Sequence, residues 1–123
     1  MLPEFLVQET TVREAGESDI LPLPNFREPH LTLTLGITHA LEHESIDVDI
    51  FSSRDGSKWS SAPIASFTRK YYCGTYQLLI SGLEAKYLKA AWRVTRWGRG
   101  EGRPFFRFYL FLNDSAVRAA GAA

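Results

Sequence analysis

The residues best equipped for chemistry in this 123-residue chain are a run of arginines interleaved with tryptophan: Arg93, Arg96, Trp97, Arg99, Arg103 and Arg107. Guanidinium groups grip carboxylates and phosphates through paired N–H donors. Together with Trp they also supply much of the binding energy of protein interfaces. Four uses fit such a run. It can be a solvated basic face with cations packed on Trp97, a protein contact, a nucleic-acid track, or a sugar-stacking site built on Trp59 or Trp97. A net charge of zero weighs against the nucleic-acid reading, because the acidic half of the chain would repel phosphate.

Other reactive types are present without the spacing their chemistry needs. His39 and His43 stand four apart, as a helical metal pair would, but they lie beside strand-like sequence, and His30 stands apart. Asp47, Asp49 and Asp55 miss the spacing of a calcium loop. Cys73 has no nucleophile context and, as the one cysteine, can form no intrachain disulfide. Gly98-Arg99-Gly100-Glu101-Gly102 is glycine-rich but lacks the lysine and the strand-to-helix setting of a phosphate cradle. The sequence therefore assigns no catalytic, cofactor-binding or metal residue, and an enzyme is not expected.

Charge is divided along the chain. Residues 1–58 carry 11 acidic and 4 basic side chains, a net of −7, and residues 59–123 carry 3 and 10, a net of +7. Either the halves pair inside one fold, or the acidic face of one copy meets the basic face of another. In the second case the contact residues are Trp97, Arg99, Arg103 and Arg96 on one side and Glu14, Glu17 and Asp19 on the other.

The elements that must position these groups read as strands. Residues 4–13 form a first one. Residues 14–29 are rich in Gly, Ser, Asp and Pro, and Leu21-Pro22-Leu23-Pro24 should run extended. Leu31 to Leu35 and Ile46 to Ile50 alternate apolar and polar side chains strictly, the pattern of half-buried strands. Gly36 to Ser45 is a strand extension or a loop. Asp55-Gly56 marks a tight turn, with Trp59 beginning the return strand. Tyr71 to Ile80 is apolar, with Gly74 interrupting it. Lys86 to Trp97 contains helix formers, yet Leu88, Ala90, Trp92 and Val94 alternate, and it reads as a strand. Phe105 to Leu112 sets Phe106, Phe108, Leu110 and Leu112 on one face and Phe105, Arg107, Tyr109 and Phe111 on the other.

Seven to eight short strands without an amphipathic helix predict an all-β protein: one jelly-roll-like antiparallel sandwich with an extended N-terminal arm. The expected divisions are a strand and Pro-containing arm over 1–29, a sandwich core over 30–114 and an Ala-rich tail over 115–123. No signal peptide and no membrane span are read. Synthesis in the cytoplasm is expected, with incorporation into a particle or filament open.

Val48 to Trp59, with its Ser-x-Asp-Gly turn, resembles the strand, turn and Trp of discoidin-like domains, also called coagulation-factor type C or galactose-binding-like. Lys86-Tyr87-Leu88-Lys89 is similar to a later Arg-Tyr-Ile-Arg strand of that family, and Phe106 to Leu112 sits where its last strand lies. The resemblance spans residues 46–112 and implies an eight-stranded jelly roll. The family's paired terminal cysteines are missing and its binding loops lie outside the matched pieces, so no binding residue follows from it. In type the chain is also similar to small sandwich proteins of tailed-phage assemblies. The expectation is a non-enzymatic structural subunit whose partner is itself or another structural protein, with a carbohydrate-binding module, and so a glycan partner, as the alternative.

Overall fold

Alternating leucines dictate the centre of the molecule. The computed structural model describes residues 4–23, 30–81, 86–97 and 104–114, and among these it contains strands β1 (Glu4–Val12), β2 (Gly16–Glu17), β3 (Leu21–Pro22), β4 (His30–Ala40), β5 (Glu44–Ser53), β6 (Ala65–Lys70), β7 (Gly74–Ser81), β8 (Tyr87–Arg96) and β9 (Phe106–Asp114). On β4, Leu31, Leu33, Leu35 and Ile37 are buried. On β5, Ile46, Val48 and Ile50 face them from the other layer, and on β9 the buried set is Phe106, Phe108, Leu110 and Leu112. Each such side chain contributes about 1.5–3 kcal/mol by leaving water.

Two antiparallel sheets enclose this core. Sheet A runs β1-β9-β4-β7, and sheet B runs β2-β8-β5-β6, with β3 also on β8. The chain crosses between sheets at β1 to β2, β3 to β4, β4 to β5, β6 to β7, β7 to β8 and β8 to β9. When β2 and β3 are counted as one interrupted strand, this order is a jelly roll. The late strands β8 and β9 are central in their sheets and take their partners from the N-terminal half.

Several expectations are refined. The doubtful stretch 86–97 is strand β8, held on β5 from Glu44↔Arg96 to Ser53↔Tyr87. Gly36 to Ser45 divides: β4 continues to Ala40, residues 41–43 turn, and β5 begins at Glu44. Trp59 does not open the return strand. It makes one bridge to Ser53, and β6 starts at Ala65, beyond Pro63. The strand expected from Tyr71 starts at Gly74, and Tyr71 to Cys73 form the turn before it.

The N-terminal segment is extended, but it is stitched to its own chain. Gly16 and Glu17 pair with Trp92 and Ala91, and Leu21 and Pro22 pair with Leu88 and Tyr87. Ser18 N–H donates to the Ala90 carbonyl at 2.8 Å, and Leu23 N–H donates to Lys86 at 2.6 Å. Residues 16–23 therefore occupy an edge of sheet B instead of offering a strand to a neighbour.

Candidate functional site

The arginine run does not form one patch, because strand alternation scatters it. Arg93 lies on the outer face of sheet B and bonds Asp49 at 3.3 Å. Arg107 lies on the outer face of sheet A, where its Nε donates to Glu9 at 3.0 Å. Arg96 ends β8, and Trp97 follows it. Arg99 and Arg103 fall outside the described residues.

Trp97 is 46% exposed and stands at the end of the sandwich where β6 turns into β7. Its N–H donates to the His43 carbonyl at 2.9 Å. Its ring meets Tyr71 edge to face, 6.0 Å away at 83°, and Tyr71 touches Tyr72 at 6.1 Å. At the same end Arg13 caps the Phe105 ring at 4.9 Å, and His39 meets that ring edge-on. His39 and His43 are both exposed. Glu44, 1% exposed, ties the loops together: its carboxylate accepts from Leu41 N–H at 2.6 Å and from Phe105 N–H at 2.8 Å.

The acidic candidates lie on or just before the β2–β3 segment that pairs with β8. The Glu14 carbonyl accepts the Trp92 indole N–H at 3.1 Å, and Glu17 meets Lys89 at 3.4 Å. Asp19 is exposed on the rim of an opening of about 500 Å³ between β1 and the β2–β3 segment, lined by Phe5, Val7, Ile20 and Leu21 among others. The ion pairs Glu9–Arg107, Glu17–Lys89 and Asp49–Arg93 each join an acid of the first half to a base of the second. At these three pairs the charge division along the sequence becomes cross-strand pairing within the fold. Thr38 donates to Glu9 at 2.7 Å, and this bond, followed by that from Arg107, holds the Glu9 carboxyl below its ordinary range.

The three aspartates are engaged within the chain, Asp47 and Asp55 by backbone amides and Asp49 by side chains. Asp47 accepts from Arg69 N–H at 2.7 Å, and Asp49 accepts from the Ser66 hydroxyl at 2.6 Å. Asp55 closes its turn by accepting from Ser57 N–H and Lys58 N–H, both at 2.9 Å. The Lys58 and Ser57 amides, helped by the Ser53 hydroxyl, lower its pKa to about 2. Trp59 is half-buried with the Lys89 ammonium 4.7 Å over its ring, so that face is covered.

The surface that sequence reasoning missed is the outer face of sheet A. Phe5 on β1, 45% exposed, packs against Phe111 at 5.1 Å and Tyr109 at 6.1 Å on β9. Tyr109 covers Gly36 on β4. Thr32 and Thr34 continue the face, and on β7 Gln77 bonds Thr34 while Leu79, 46% exposed, sits across from Thr32. The charged pair Glu9–Arg107 is confined to the end near the β4 bulge. Its signal was the bulky outer set Tyr109 and Phe111 on β9. Joining that set to Phe5 and Leu79 required the strand order.

No known protein-family model matches the sequence, and no curated protein matches it. Among the described residues no helix is long and apolar enough to cross a membrane.

Proposed function

We propose that this chain is a non-enzymatic assembly subunit that docks on another copy of itself or on a structural protein, as part of a particle or filament. The observation that carries this reading is the outer face of sheet A, where Phe5, Tyr109, Phe111 and Leu79 share a surface with threonines and Gln77. Aromatic side chains with few charges are the composition of interface centres. Of the charged contact expected from sequence, Glu17 already meets Lys89 of the same chain, and Arg99 and Arg103 lie outside the described residues. We therefore place the contact on the apolar face, where it should resist salt. Replacing Phe5 with Lys should convert an oligomer to monomer, and an unchanged oligomer would remove this face from the account.

The alternative is a carbohydrate-binding module, favoured by the exposure of Trp97 and Tyr72, 46% and 77%. Sugar rings stack on open aromatic faces, and successive sugars need rings that lie nearly parallel. Here the neighbouring rings are tilted by 83° for Phe5–Tyr109, 61° for Phe5–Phe111 and 83° for Tyr71–Trp97. This geometry suits interdigitated protein contact better than a flat sugar platform. Quenching of Trp fluorescence on a glycan panel, lost in Trp97→Ala, would reverse the preference.

A further inference from the structure

Resting on the assembly reading, we infer that β7 is the pairing edge of the molecule and that its partner is β7 of a second copy, antiparallel across a two-fold axis. Edge strands invite pairing unless they are blunted by charge, proline, bulges or shortness. The other edges carry such devices. β1 has two register breaks and bears Glu4 and Glu9. β6 has six residues, a register break against β5, and Arg69 and Lys70 at its end. β2 and β3 have two residues each, and β3 contains Pro22.

β7 carries none of these. Its eight residues, Gly-Thr-Tyr-Gln-Leu-Leu-Ile-Ser, include no charge and no proline. They pair with β4 without a break from His30↔Ser81 to Ile37↔Gly74. Sheet A ends there, so among the described residues the far side of β7 has no strand partner. Strand geometry turns the N–H and C=O of every second residue to that side. The core side is unfinished too. Tyr76 and Leu78 are half-buried, whereas Leu35 and Leu33 opposite them on β4 are fully buried. Lys70, 4.7 Å over the Tyr76 ring, shields only the Gly74 end.

A neutral strand suits its own copy, because a two-fold axis sets each group near its twin, and charges would repel there. Cross-strand partners share a sheet face, so the axis must pair residues of equal parity. Centred on Gln77, Leu78 or Leu79, the pairing brings Gln77 or Leu79 opposite Gln77 or Leu79 of the second copy. It would extend sheet A from four strands to a continuous eight.

The test uses charge swapping on the full chain. Both positions are exposed and their side chains point away from the core. Gln77→Lys/Leu79→Lys should run as the 13.9 kDa monomer, and so should Gln77→Glu/Leu79→Glu. Mixed in equal amounts, the two should restore a species of twice that mass. Hydrogen exchange should show alternate amides of 74–81 protected in the dimer and exposed in either variant alone, which face-to-face packing of sheets would not produce. If the wild-type chain is oligomeric and the lysine variant equally so, the edge pairing is wrong while the assembly reading stands. If the mixture stays monomeric, the pairing is likewise wrong. Alternate amides protected in a monomer would mean that the chain covers its own edge, which also overturns it. A wild-type chain that is monomeric at every concentration removes the assembly reading itself.

Discussion

The phenol ring of Tyr109 fills the space that a β-carbon on Gly36 would occupy, so the middle of sheet A is built around a missing side chain. The two residues are cross-strand partners on β9 and β4. The ring therefore lies low, and the outer face can carry aromatics without a ridge. Gly36→Ala forces the ring off this seat and should cost about 1–3 kcal/mol, the range for overpacking. Urea unfolding checks it, and Tyr109→Ala in the same chain should recover part of the loss.

Glu44 should matter more than any surface acid. Its carboxylate holds the Leu41 and Phe105 amides, which belong to different loops. Glu44→Ala leaves both donors without this acceptor and should destabilise by about 2–3 kcal/mol, given the strength of hydrogen bonds to charged groups. Glu44→Gln keeps one acceptor oxygen and should lose less. Exchange rates at Leu41 and Phe105 should rise in the alanine variant before global unfolding.

Asp55 should shape the acid limb of stability. Its folded pKa is depressed to about 2 by the Lys58 and Ser57 amides. Such a group contributes above its unfolded pKa, about 3.9, and the contribution fades as pH falls toward the folded value. Asp55→Asn should therefore lower stability at pH 7 and flatten its decline between about pH 4 and 2. Thermal melts of both proteins across that window check the sign.

How far the sequence reached follows from the range of each interaction. Leu31 to Leu35, Ile46 to Ile50 and Phe106 to Leu112 announced their buried faces by local alternation, and those side chains are buried. Trp59 misled because a bulky residue after Asp-Gly looks like a returning strand, while Pro63 postpones β6 to Ala65. The 16–23 arm was legible as extended, but its docking on β8 depends on residues about 70 positions away, and no local pattern encodes such pairing. The charged halves posed the same difficulty. That Arg93 meets Asp49 and Arg107 meets Glu9 depends on β8 and β9 inserting between earlier strands. For the candidate site, Tyr109 and Phe111 were visible as residue types, and the surface they form with Phe5 was not.

The most direct test of self-assembly is light scattering behind size exclusion, run across protein concentration at low and high salt. Since Glu9, Glu17 and Asp49 pair within the chain and the outer face of sheet A is largely uncharged, the account predicts a species of at least twice 13.9 kDa that persists at high salt. A 13.9 kDa monomer at every concentration and salt would contradict it.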